Sequence, residues 1–149
     1  MTLLLRRFGA FLISVLAAAI VGAVVQTQFN LAALTRLDVA VSLNQRVAMT
    51  GADIVHFAPV FALLLAAVFL PAFLAAGWIV RRHPARRTAL FILAGGTAVL
   101  GALVTMNALM PLTPIQMTRD ALGLLALSTT GLIGGWVFAV VLRFPGLPR

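Results

Sequence analysis

The chain has 149 residues, 62% of them hydrophobic and only 9% charged, where a soluble domain carries about 25% charged residues. Its net charge of +8 comes from 11 basic residues, every one an arginine, set against three aspartates. So little charge excludes a body that faces water on all sides, and the absence of cysteine excludes disulfides, thiolate metal sites, iron–sulfur clusters and thiol nucleophiles.

The charges stand in clusters that leave four uncharged runs, residues 8–35, 54–80, 88–118 and 121–142. About 20 apolar residues of helix cross a hydrocarbon core about 30 Å thick, and each run is long enough. The expected fold is all-α: a polytopic integral membrane protein, a four-transmembrane-helix bundle forming a single transmembrane domain over 1–149. Its spans are expected at about 7–26, 54–80, 88–109 and 115–142, with an amphipathic helical segment at about 31–52 in the first outer loop.

Span 1 opens behind Arg6 and Arg7. Its uncharged run exceeds the 7–15 residues of a signal-peptide core, so it is read as an uncleaved anchor. Ala17, Ala18, Ala19, Gly22 and Ala23 offer a smooth face for helix contact, and Gln26, Gln28 and Asn30 mark the interface. Leu31, Leu34 and Leu37 then recur at a helical period, which predicts either a continuation of span 1 or a short interfacial helix. Ser42 and Gln45 have capping-box spacing, placing a helix start at about Leu43.

Span 2 carries Pro59 and Pro71, each lacking a backbone donor, and a kink is expected near residues 67–71. Arg81, Arg82, Pro84, Arg86 and Arg87 read as a tight turn. Span 3 follows with Gly95, Gly96 and Gly101. Thr113, Pro114 and Gln116 have the N-cap, N1 and N3 pattern of a helix start. Span 4 contains Gly131 and Gly135 in a GxxxG match, a device for close backbone approach. Gly95, Gly101, Gly131 and Gly135 are therefore assigned to helix packing. Ser128, Thr129 and Thr130 are expected to bond carbonyls of their own helix.

The connecting segments divide by charge. One side holds eight arginines and no acid, and the other holds three arginines and all three aspartates. The positive-inside rule puts the arginine side, with both termini, in the cytoplasm. The expected location is a bacterial inner membrane. The basic residues flank apolar spans, so they point to anionic lipid rather than nucleic acid.

Polar groups gather on the opposite side: Arg46, Asp53 and His56 before span 2, and Asn107, Gln116, Arg119 and Asp120 around the last turn. Two readings compete. In one, Arg46, Asp53, His56, Gln116, Arg119 and Asp120 converge on a ligand, with Asp53 setting the state of His56. In the other, Arg–Asp pairs pin the first loop to the third, as ionisable groups near hydrocarbon must find partners. Asp53 and His56 are too few for a metal site, and His56 and His83 sit at opposite ends of span 2, unable to share a haem. No cofactor is expected.

These features favour a small non-enzymatic membrane protein, a subunit or accessory partner of a larger complex or a homo-oligomer, in contact with membrane lipids. A lipid or quinone binder with its polar site at the outer leaflet is the alternative, and a small-molecule transporter the second.

Overall fold

The computed structural model describes residues 2–38, 40–109 and 115–143, with the side chains of Thr2, Leu3, Gln116 and Arg119 excepted. Regular structure among them is entirely helical: α1 (Thr2–Thr35), α2 (Leu43–Arg82), α3 (Arg87–Leu109) and α4 (Ala121–Val141), with 3-10 turns at Pro84–Arg86 and Gln116–Arg119. All four long helices are apolar enough to span a membrane, with mean hydropathy from 1.9 to 2.6.

Local chemistry explains most of the boundaries. α1 continues without a break to Thr35 and is stopped by Asp38 at φ 59°, a left-handed conformation that aspartate tolerates better than most residues. α2 starts where its capping box lies. The Gln45 amide donates to Ser42 Oγ, and the Ser42 amide donates to Gln45 Oε1 at 2.9 Å. Pro59 and Pro71 both lie inside α2, which remains one helix from Leu43 to Arg82. The arginine-rich turn is a single 3-10 turn with Pro84 at its start.

The fourth helix differs from expectation. It begins at Ala121 rather than near residue 115, because Gln116–Arg119 forms a 3-10 turn instead of a first α-helical turn. The expected cap at Thr113 and Pro114 lies outside the described residues. Two contacts account for the later start. Asn107 ties the turn to α3, its Nδ2 donating to the Thr118 carbonyl at 2.8 Å and its Oδ1 accepting from Thr118 Oγ1 at 3.1 Å. Gly123 also lets the Met117 carbonyl lie against the first turn of α4, in space that a Cβ would fill.

The helices form a ring in which α1 touches α2 and α4, and α3 touches α2 and α4. The α3–α4 contact is the most extensive. There the Gly95 carbonyl lies where a Gly131 Cβ would be, the Gly131 carbonyl where a Gly95 Cβ would be, and the Phe91 carbonyl where a Gly135 Cβ would be. Gly101 was expected in the same set and does not belong to it: a Cβ there would meet nothing within 4 Å. It lies about 240° around the helix from Gly95 at 100° per residue, facing away from α4. Elsewhere Gly22 admits the ring of Phe61, and Gly134 that of Phe69.

Phe73 is an aromatic hub. It stacks on Phe69 and Phe138 at 4.8 and 4.5 Å, and meets Phe11 and Phe91 edge-on at 6.5 and 5.8 Å. All four helices therefore meet at one level. From that level the helices run unequal distances toward the opposite end. At 1.5 Å per residue, α2 extends about 45 Å and α1 about 36 Å, against about 27 Å for α3 and about 25 Å for α4. The α1–α2 hairpin thus stands well beyond the other pair.

Candidate functional site

The end with the three aspartates was the expected site. Asp53 is half-buried and faces α1, where Thr27 Oγ1 donates to its Oδ2 at 2.6 Å. The same hydroxyl also lies 2.9 Å from the Ala23 carbonyl, in a residue only 1% exposed. His56 does not join Asp53. Its ring is exposed, and Nδ1 lies 2.9 Å from the Ala52 carbonyl of its own helix. A carbonyl only accepts, so this contact selects the tautomer with the proton on Nδ1. The i, i+3 spacing brings the two residues to neighbouring positions, but each side chain finds a nearer partner.

The expected arginine–aspartate pinning also involves Arg119, whose side chain lies outside the described residues. Among the described residues no salt bridge joins Arg46, Asp53 and Asp120. Arg46 is half-buried, and its carbonyl accepts from Thr50 Oγ1. Asp120 is exposed and stands before α4 without capping it through its side chain. Gln116 and Arg119 belong to the 3-10 turn, and their side chains lie outside the described residues. Among the described side chains, Arg46, Asp53, His56 and Asp120 do not bond to one another. The 3-10 turn contacts α4, α1 and α3, while Asp53 looks from α2 toward α1. The outer part of α2 is tied to α1 by the Thr27–Asp53 hydrogen bond.

A depression of about 190 Å³ lies in the hairpin, lined by Leu34, Ala40, Val41, Gln45, Ala48 and Met49. It includes none of the six expected site residues. Among the described residues no group of three or more potential metal ligands gathers.

At the arginine end, side chains bridge different helices. Arg6 Nη2 donates to the Leu142 carbonyl at 2.8 Å, and Arg143 Nη2 donates to Thr88 Oγ1 at 2.7 Å. Arg87 lies within electrostatic reach of Arg143, Arg6 and Arg7. The Arg82 guanidinium rests 4.9 Å from the centre of the Trp78 ring. Between α2 and α3 at this same end runs an open slot of about 380 Å³ lined by alanine, leucine, isoleucine and one threonine.

The Thr27–Asp53 bond, the Phe73 hub and this slot were not among the features expected from the sequence. Thr27 carried a faint signal: it is a hydroxyl in an otherwise apolar helix. The hub and slot depend on which faces oppose one another, which no single-chain periodicity specifies.

No protein-family model, curated protein or solved structure matches the chain. What the protein does must therefore be argued from its own residues.

Proposed function

We propose that this protein is a non-enzymatic subunit or accessory partner of a larger complex in a bacterial inner membrane, engaging it through the α1–α2 hairpin. The observation that carries this reading is the hairpin itself. It projects past α3 and α4 and displays Leu37, Leu43 and Val47 at 73–80% exposure, with Met49 beside them. Helical apolar side chains at this spacing suit a groove or helix face on another protein.

Membrane insertion is supported by an outer surface as apolar as the core, in which Phe61, Leu65 and Phe69 are buried alongside the alanines. Leu63, Leu70, Leu74, Leu125 and Trp136 are exposed, while Ala10, Ala18, Ala19, Ala23 and Ala139 are buried. In water such a surface drives aggregation; in lipid it is already solvated, and small residues inside let the helices close up. The charge division supports an orientation with Arg81–Arg87 and both termini in the cytoplasm.

A transport role finds less support. The hydroxyls of Ser14, Ser128 and Thr130 are buried and donate to carbonyls of their own helices at 2.6–2.8 Å. Among the described residues these three hydroxyls form no polar track for a solute, and Phe73 packs with Phe11, Phe69, Phe91 and Phe138 toward the arginine end. A quinone or lipid site at the outer leaflet is weakened by the separation of Asp53 from His56.

The absence of native cysteine makes a direct test simple. A single Val47→Cys should react with a membrane-impermeant maleimide on intact spheroplasts, and a single Arg86→Cys only after permeabilisation. The complex should survive purification in mild detergent, and Leu43→Glu with Val47→Glu should release the partner. A lone monomer at native expression level would overturn the partner reading. Labelling of Arg86→Cys from outside would overturn the orientation.

A further inference from the structure

The slot between α2 and α3 is flanked by Ala72, Ala75 and Ile79 on one side and by Leu90, Ala94 and Ala98 on the other. Its volume of about 380 Å³ falls within the 300–1,000 Å³ range of small-molecule sites. The slot's one polar residue, Thr97, is exposed, and its Oγ1 donates to the Leu93 carbonyl of its own helix at 2.7 Å. The walls are therefore hydrocarbon except for the Thr97 oxygen, which can only accept once its proton is spent on Leu93.

The mouth is different. One helical turn beyond Ile79 stands Arg82, and one turn before Leu90 stands Arg86, both exposed. No acidic side chain can neutralise them, since Asp38, Asp53 and Asp120 all belong to the other end of the bundle and the chain has no glutamate. Trp78, 60% exposed with Arg82 over its ring, has the character of an interface anchor. An apolar slot with two arginines and no acidic side chain at an interfacial rim matches an amphiphile with an anionic head.

A helix fits less well. With side chains it is about 10–12 Å across, and the slot spans only about 12 Å along the axis, too short a seat for a partner that crosses the bilayer. We infer that the slot seats one acyl chain of an anionic phospholipid whose phosphate lies between Arg82 and Arg86. The inference rests on the membrane reading above.

The test is native mass spectrometry of the full chain released from micelles containing equimolar phosphatidylglycerol and phosphatidylcholine. The wild type should retain phosphatidylglycerol roughly thirtyfold over phosphatidylcholine, the preference expected of two arginines at an anionic surface. Arg82→Gln with Arg86→Gln should bring the two lipids to parity. Ala75→Phe, at an exposed position, should fill the slot and abolish retention of both while helicity is unchanged. Arg7→Gln, an exposed arginine of the same end away from the slot, should keep the preference.

Unchanged retention in Ala75→Phe would overturn the inference. So would displacement of the lipid by millimolar inorganic phosphate, which would make the arginines a free-phosphate site. Conversion of a dimer to a monomer by Ala75→Phe without any lipid retained would overturn it in favour of a second copy of the chain. Alkaline carbonate extraction separates the two levels. A chain that stays in the membrane but shows no lipid preference removes this inference alone, and a chain that is extracted removes the membrane reading as well.

Discussion

The two faces of α3 make opposite kinds of contact. Toward α4, Gly95 meets Gly131 and the Phe91 carbonyl meets Gly135, so backbone lies on backbone. Toward α2, Ala94 and Ala98 face Ala72, Ala75 and Ala76 across an open slot. Both faces are built from small residues, yet one is shut and the other gapes. The difference lies in register. A glycine shuts a seam only when the partner carbonyl arrives where its Cβ would have been. Alanines facing alanines hold the backbones a methyl apart on each side, with no large side chain to fill the remainder.

Adding bulk to each seam is the sharpest way to break the comparison. Gly135→Leu drives a side chain into the Phe91 backbone, which has no rotamer to yield. The expected loss is about 3 kcal/mol, the upper end of overpacking costs. Ala75→Phe adds comparable bulk to the slot and should stay within about 0.5 kcal/mol of wild type, as exposed substitutions do. Equilibrium unfolding in mixed detergent measures both. Equal losses would mean that the slot is closed in the membrane and the contrast is false.

A smaller effect concerns how the shut seam is fastened at its polar end. Asn107 holds the last turn by two hydrogen bonds to Thr118, a residue only 2% exposed. Asn107→Leu keeps the branched shape and removes both, leaving a buried carbonyl without its donor. Thr118 Oγ1 retains its bond to the Ile115 carbonyl, which limits the damage. The expected cost is about 1–2 kcal/mol, with hydrogen exchange accelerated at Thr118 more than across α2. An unchanged exchange rate there would mean that Gly123 alone sets the turn.

The legible parts of the fold were those fixed by neighbours in sequence. Ser42 and Gln45 sit three apart and cap α2 as their spacing requires, and Ser128, Thr129 and Thr130 bond back to their own helix at 2.6–2.7 Å. The four long apolar helices follow from the spacing of charges. The candidate site was not legible, because it required knowing which helices touch. Asp53 bonds to Thr27 of α1, and among the described residues it meets no arginine. Thr27, one hydroxyl among the apolar residues of α1, was the partner instead. Glycine packing was half legible for the same reason. Gly131 and Gly135, four apart, necessarily share a face, whereas nothing in the chain alone says that Gly95 looks at them and Gly101 does not.

That last pair gives the finest test of the register argument, since one chemical change should carry opposite signs within a single helix. At Gly101 a methyl meets no atom within 4 Å, and Thr105 Oγ1 already donates to its carbonyl at 2.7 Å, so that the carbonyl is satisfied whatever side chain is present. Gly101→Ala then acts only on backbone freedom and should stabilise by up to about 0.5–1 kcal/mol, toward the lower figure in lipid, where no water competes for the glycine backbone. Gly95→Ala puts the same methyl onto the Gly131 carbonyl and should destabilise by about 1–3 kcal/mol. If both substitutions raise the unfolding midpoint, α3 and α4 do not touch through their backbones, and register cannot be what separates the two seams.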